Sequence, residues 1–401
     1  MSEMSATTAA MKKMKNNNKE KQIGIGIIGY SIGKAHANAW TSLRRYYYPS
    51  KLKPKLVAIS GRTKDKVELE AKKFEIEKAY SEWEKLVNDE EVTVVDNCAP
   101  PSTHAEPMIM AAKLGKNLVC EKPLARNAKE AKAMLEAAEK AGVKHLTGYN
   151  YRFLPAVNLV REMIQDGTLG EIYYFKTAYL NVNEGYDDPN FPFGWHHDPN
   201  VAGYGALSDL GTHALDLARF LVGEITSVSA ASATFIKERP LEKGSTKKRT
   251  VGVDDVTISC LKFKNGALGI LEAGWVMAGR TDFLRFEVYG SKGTVRYNLE
   301  RINELDIYFS SDPKRTSGFR NVLVVNKAHP FLKNFWWNQG GGFGWEHTFV
   351  NELNHFVNCL AEDKPVSPQG ATFYDGYRNC LIMDAIMESA KSERWTNIPS
   401  S

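Results

Sequence analysis

Three side chains carry the chemistry that this chain could do. Lys122 stands in Glu121-Lys122-Pro123, directly after the apolar run Asn117-Leu118-Val119-Cys120. An ammonium held there can hydrogen-bond an oxygen on which negative charge develops. Asp209 and His213 are spaced i and i+4, which predicts a carboxylate and an imidazole on one helical face. Imidazole titrates near neutrality and suits a general base. The carboxylate can orient that ring or bond substrate hydroxyls. Oxidising a secondary alcohol requires loss of the hydroxyl proton while hydride leaves the same carbon. Lys122, Asp209 and His213 are the types such a reaction needs, and they are the catalytic candidates.

These residues need a scaffold that brings position 122 to positions 209–213. Gln22–Gly29 is a β-branched run ending in glycine, and helix, strand and helix alternate after it. Lys55–Ser60, Val92–Cys98, Asn117–Cys120 and Val143–Gly148 read as strands, apolar on both faces. That predicts a doubly wound parallel sheet, a Rossmann domain over residues 21–149, with Lys122 at its carboxyl edge where such sheets place ligands. Residues 1–20 lack apolar periodicity and read as a disordered tail. Past residue 150 the pattern changes. Lys264-Asn265-Gly266 and Gly290-Ser-Lys-Gly293 mark hairpins, so residues 150–401 are expected to form an α+β domain on a large open, mostly antiparallel sheet.

The first strand–helix turn is the expected pyrophosphate site, where free amide groups attract anions. Gly29-Tyr-Ser31-Ile32-Gly33 is an imperfect glycine fingerprint, one residue short between its outer glycines. Gly29, Ser31 and Ile32 are the candidates there. The second strand ends in Ser60-Gly61-Arg62-Thr63, without the carboxylate that holds a ribose 2′-hydroxyl. Arg62 can clamp a 2′-phosphate, with Ser60 and Thr63 adding donors. This predicts NADP as the preferred cofactor, with NAD as the alternative.

The chain of 401 residues has a net charge of +5, but residues 1–22 hold five Lys against Glu3 and Glu20, so the body is nearly balanced. That argues against nucleic acid. No stretch is long and apolar enough for a membrane span. Five scattered Cys without a CxxC pair suggest free thiols in a reducing cytoplasm. His196-His197-Asp198, with Asp209 and His213, lacks metal-ligand spacing, and no metal is expected.

The ordered set Glu121-Lys122-Pro123, Asn150-Tyr-Arg152 and Asp209-Leu-Gly-Thr-His213-Ala-Leu-Asp216 resembles the signatures of the Gfo/Idh/MocA oxidoreductase family. The likeness runs from about residue 22 to 395. Cys120–Arg126 and Leu207–Glu224 look particularly similar to the levoglucosan dehydrogenase branch, and inositol dehydrogenases are in the same family. The resemblance implies a Rossmann domain plus an open-sheet domain, a homodimer or homotetramer formed through that sheet, and the same catalytic roles for Lys122, Asp209 and His213. It also lays the loop after Cys98 along the cofactor, with Pro100 and His104 as contacts, has Glu121 hold the nicotinamide ribose or its own loop, and makes Lys122 a cofactor contact as well.

Substrate selection is expected from the second domain. Arg152, Asn181 and Asn183, then Trp195, His196 and Tyr204, are positioned to present an aromatic face and amide or imidazole groups to a sugar. Trp336–Trp345 reads as a glycine-rich flap. The expected activity is hydride transfer between a nicotinamide cofactor and a ring secondary alcohol of a sugar, anhydrosugar or polyol. Alternatives are redox-neutral glycoside cleavage through a keto intermediate, or a non-catalytic regulator that binds dinucleotide or sugar.

Overall fold

In the computed structural model, residues 21–182, 185–335 and 340–399 are described. The expected tail over 1–20, Asn183 and residues 336–339 of the expected flap lie outside them. The first half is a six-stranded parallel sheet in the order β3-β2-β1-β4-β5-β6. Its strands are β1 Lys21–Ile28, β2 Leu52–Ser60, β3 Lys78–Tyr80, β4 Val94–Asn97, β5 Asn117–Glu121 and β6 His145–Gly148. Ile25, Ile27, Val94, Val95, Leu118 and Val119 are fully buried, as strands covered on both faces require. The chain order reverses between β1 and β4, and a crevice opens there at the carboxyl ends.

A short 3-10 turn, Asn150–Phe153, leads into the second half. There β7 (Ile172–Leu180), β8 (Ile225–Ala233), β11 (Val256–Phe263), β12 (Leu268–Gly274) and β13 (Phe283–Gly290) belong to one nine-stranded sheet. It is completed by β14 (Gly293–Asn298), β15 (Glu304–Phe309), β16 (Arg320–Leu323) and β17 (Thr396–Asn397), while β9 (Glu238–Pro240) and β10 (Lys248–Thr250) pair separately. Both expected hairpins form, β11 with β12 and β13 with β14. One neighbouring pair departs from the antiparallel pattern: β12 runs parallel to β7, which makes the sheet mixed.

Helices cover one face of this sheet and close the molecule. Helix Phe373–Ser392 packs on β8 and also against helix Ala128–Ala141 of the first half. Helix Glu346–Glu362 returns to the Rossmann sheet and packs on its first helix, Gly33–Tyr46. Phe349, Val350, Leu353 and Phe356 thereby share one apolar cluster with Ile25, Ile27, Trp40 and Leu43. The late helix thus fixes one wall of the crevice against the nucleotide half. Among the described residues, no helix is long and apolar enough to cross a membrane.

Candidate active site

The first turn folds tightly because Gly29 has a positive φ of 89°. A Cβ there would lie 2.8 Å from the Ala99 nitrogen, so the turn after β1 sits directly on the loop after β4. The Gly29 amide donates to the Ser60 carbonyl at 2.8 Å, which brings the tip of β2 to the same edge. Helix Gly33–Tyr46 has no acidic residue in its first turn, so nothing opposes an anion at its amino end. Ser31, Ile32 and Pro100 line the crevice, and Arg62 and Thr63, which follow the end of β2, are exposed. This edge fits a dinucleotide: a glycine-only approach, a bare helix terminus and donors at the β2 tip.

At the end of β5, Lys122 crosses to the second half. Its Nζ donates to the Asp209 carbonyl at 2.8 Å and to Asp209 Oδ1 at 3.0 Å. Asp209 lies in a π-helical turn, Leu207–Gly211, that runs into helix Thr212–Leu221 carrying His213. The widened turn alters the expected i, i+4 register. Among the described residues Asp209 makes no hydrogen bond to His213; its carboxylate faces Lys122 instead. Asp209 therefore does not orient the imidazole, contrary to the expectation from its spacing. The ring is held by packing, with Tyr151, Tyr149 and Tyr179 centred 4.6, 5.9 and 5.9 Å away. His213 Nδ1 is buried without a partner, which leaves Nε2 for a ligand.

The electrostatics assign the protonation states. Burial and the Lys122 cation push the His213 imidazole well below its ordinary value, and Asp209 offsets this only in part. His213 is thus a neutral acceptor at neutral pH. Burial alone would raise Asp209, but the Lys122 cation outweighs it and holds the carboxyl below its usual range. The pair is therefore an ammonium and a carboxylate beside a neutral base.

Lys122, Asp209 and His213 all line one cavity of 600 Å³ between the two halves. Glu121, Asn181, Trp195 and His196 line it too, as does Tyr204. Asn181 Oδ1 is buried and unpaired, so the wall offers an acceptor to whatever fills the space. Trp195 and His196 stack face to face at 3.5 Å in the cavity wall.

Two expected contacts are not there. His104 is fully buried, and its ring bonds the carbonyls of Ala99 at 2.7 Å and Leu124 at 3.1 Å. It ties the loop after β4 to the loop after β5 and does not reach the cofactor crevice. Arg152 is also buried, bidentate on Asp216 at 2.6 and 2.7 Å and 3.1 Å from Asp375. It joins helices beneath the cavity and cannot bond substrate. His197 is buried as well, accepting from the Gly194 amide at 2.9 Å, so the His196-His197-Asp198 run does not converge on a point.

Other participants were not read from the sequence. His36, on the first helix, bonds Asp96 Oδ2 at 2.9 Å and Glu121 Oε1 at 2.9 Å. Glu121 Oε2 in turn accepts from the Lys122 amide at 3.2 Å. This buried chain anchors the strand end that presents Lys122 to the cavity. Its members are 60 and 85 residues apart along the sequence, so no local spacing reveals it. Tyr151, Tyr179 and Trp345 also line the cavity.

Comparison with known proteins agrees with this arrangement. Residues 23–149 match the oxidoreductase family with an NAD-binding Rossmann fold, and residues 157–296 match the GFO/IDH/MocA C-terminal domain. Levoglucosan dehydrogenase of Pseudarthrobacter phenanthrenivorans is 37% identical over 94% of this chain and 99% of that protein. Myo-inositol 2-dehydrogenase of Thermotoga maritima is 30% identical over 92% of this chain and 97% of its own. A solved structure of levoglucosan dehydrogenase in complex with NADH and levoglucosan superposes with a TM-score of 0.90 at 38% identity, covering 95% of this chain and all of that one. With its parallel Rossmann sheet, its mixed open sheet and the Lys122–Asp209–His213 cavity between them, the chain belongs to the Gfo/Idh/MocA family of oxidoreductases.

Proposed function

We propose that this enzyme oxidises a ring secondary alcohol of a sugar, anhydrosugar or polyol, reversibly, with a nicotinamide dinucleotide. One observation carries the reading: an ammonium already paired at 3.0 Å with Asp209 shares a 600 Å³ cavity with a partnerless neutral imidazole. Lys122 binds the hydroxyl oxygen and stabilises the charge that grows on it. His213 removes the hydroxyl proton through Nε2. Asp209 holds Lys122 in place, and Asn181 and the Trp195–His196 surface orient the ring. The dinucleotide, held at the first turn and the β2 tip, supplies the hydride acceptor when bound. The relatives named for levoglucosan and inositol support a polyhydroxylated ring as substrate. A panel of anhydrosugars, sugars and inositols tests the reading, with the keto product identified and the reduced cofactor measured. Keto sugar and reduced cofactor in equal amounts support it. A cleaved bond without net reduction contradicts it.

For the cofactor, the reading is NADP in preference to NAD. Arg62 is exposed and, among the described residues, makes no hydrogen bond or ion pair, so it is free to take a 2′-phosphate. The β2 tip holds no carboxylate that would repel one. Arg62→Asp should raise KM for NADP about tenfold or more and leave NAD nearly unchanged. A native preference for NAD of that size refutes the assignment.

The enzyme is further proposed to be a homodimer or homotetramer built on the open face of the nine-stranded sheet. Ile258 and Leu268 are 49% and 54% exposed there, beside the exposed Cys260. Such a patch is costly in water unless covered. Light scattering on the native chain and on Ile258→Arg reads the mass; a monomeric native chain ends the proposal.

A further inference from the structure

We propose that Tyr151, Tyr179 and Asp282 form the path by which the alcohol's proton leaves the cavity. The inference rests on the dehydrogenase reading above. Its starting point is a difficulty at His213. The imidazole is only 6% exposed and its Nδ1 has no partner, so a proton taken up at Nε2 has no outlet through the far side of the ring. Lys122 beside it makes the imidazolium unfavourable. The proton must move on through the cavity side.

One wall of the cavity offers an acceptor there. Tyr151 and Tyr179 both line it, and the Tyr151 ring packs 4.6 Å from His213, centre to centre. Their hydroxyls are 2.9 Å apart, and the Tyr179 hydroxyl donates to Asp282 Oδ1 at 2.6 Å. The indole Nε1 of Trp345 donates to the Tyr151 oxygen at 3.2 Å.

These contacts fix the direction of the chain. Tyr179 has one proton, and the Asp282 carboxylate takes it. The Tyr151 proton must therefore point at the Tyr179 oxygen. Trp345 uses one lone pair of Tyr151, and among the described residues nothing bonds the other, on a side chain that lines the cavity. The chain thus accepts a proton at the cavity and delivers one at Asp282. That carboxylate is not part of the cavity lining and is partly exposed, so it opens outward. Three linked polar groups in a wall that apolar rings could fill are costly to bury without use.

The step balances as follows. The substrate C–H bond breaks and its electron pair passes as hydride to the dinucleotide. The O–H bond breaks and its proton goes to His213 Nε2. A water or a second substrate hydroxyl in the cavity, bridging His213 Nε2 and the Tyr151 hydroxyl, carries that proton to the Tyr151 oxygen. Tyr151 releases its own proton to Tyr179, Tyr179 releases its own to Asp282, and Asp282 gives one to bulk water. The products are a ketone, the reduced dinucleotide and one free proton.

Asp282→Asn and Tyr179→Phe cut the path without emptying the wall. Each should lower kcat for alcohol oxidation about tenfold or more near pH 7. Cofactor affinity, read by fluorescence titration, and the thermal melt should stay at native values. Added imidazole buffer should restore a large part of the lost rate, and the solvent deuterium isotope effect on kcat should rise. Native kcat and native isotope effect in both variants overturn the path. A loss that buffer cannot rescue overturns it too, since a purely structural defect would behave so. Should the native protein oxidise no alcohol, the dehydrogenase reading fails first; native turnover with unaffected variants removes the path alone.

Discussion

Lys122→Met keeps the length and bulk of the lysine proposed to bind the reacting oxygen and deletes its charge and donors. Among the described residues that line the cavity, Lys122 is the sole Lys or Arg, so no neighbour can replace it. Loss of one well-placed donor to a developing oxyanion costs about 2.7–4 kcal/mol, or about 10²–10³ in kcat. A second effect has its own signature. Burial and Lys122 together hold His213 well below its ordinary value. Removing the cation leaves burial, opposed only by the carboxylate of Asp209, so the imidazole rises from its native position while burial still holds it below the ordinary value. The base works only when neutral. The acid limb of the native profile therefore lies below about pH 6.5, and the variant's limb lies at higher pH. Steady-state oxidation followed by reduced-nicotinamide absorbance, from about pH 5 to about pH 9, reads both effects. Cofactor affinity should be unchanged, because Lys122 is not part of the first turn or the β2 tip. A variant within about threefold of native kcat, or an acid limb that does not move, refutes the roles given to Lys122 and His213.

Asn181→Ala should raise KM for the sugar several-fold, the loss of a hydrogen bond worth about 1 kcal/mol, with kcat little changed; an equal fall in kcat would show that Asn181 acts in the transition state. Arg152→Met leaves buried Asp216 without its bidentate cation, while Asp375 keeps Arg219 at 3.5 Å, and should destabilise the fold by about 3–5 kcal/mol, read as a shift in the denaturant midpoint; a normal midpoint with altered sugar KM would restore a substrate role. Stability should also depend on pH. Burial, then Arg239 and His196, hold His197 down at about 4, and burial lowers His213 and His104 as well. Each binds more protons unfolded than folded, so this part of the stability is present above about pH 6.5 and falls as pH drops below it, by up to about 1.4 kcal/mol per pH unit per imidazole. His36 acts in the opposite sense: burial lowers it, but Asp96 more than compensates and raises it, so its contribution fades only as pH rises through its folded value. Melting temperatures that stay level from about pH 6.5 to about pH 4.5 would contradict this.

The sequence was legible where period and punctuation act locally. The unbroken apolar runs became the parallel strands, Asn127 caps helix Ala128–Ala141 by accepting from Glu130, and both hairpin turns stand at their expected places. Lys122 and Asp209 meet because a strand end and a helix start are positions that the fold class itself assigns. What escaped was set by tertiary contact. The π turn at Leu207–Gly211 changed the relation of Asp209 to His213, and no helical period announces it. His104 and Arg152 were expected at the site, yet backbone carbonyls hold the first and two carboxylates hold the second. The parallel pairing of β12 with β7 and the return of helix Glu346–Glu362 to the first half join residues far apart in the chain. The His36–Glu121–Lys122 linkage is hidden for the same reason.

The account is tested most directly by the crystal structure of a ternary complex with reduced cofactor and a sugar that turns over. It predicts one ring hydroxyl within about 2.6–3.2 Å of both Lys122 Nζ and His213 Nε2, its carbon facing the nicotinamide C4. A sugar bound with that hydroxyl against only one of the two groups, or with its ring turned away from the nicotinamide, would contradict it.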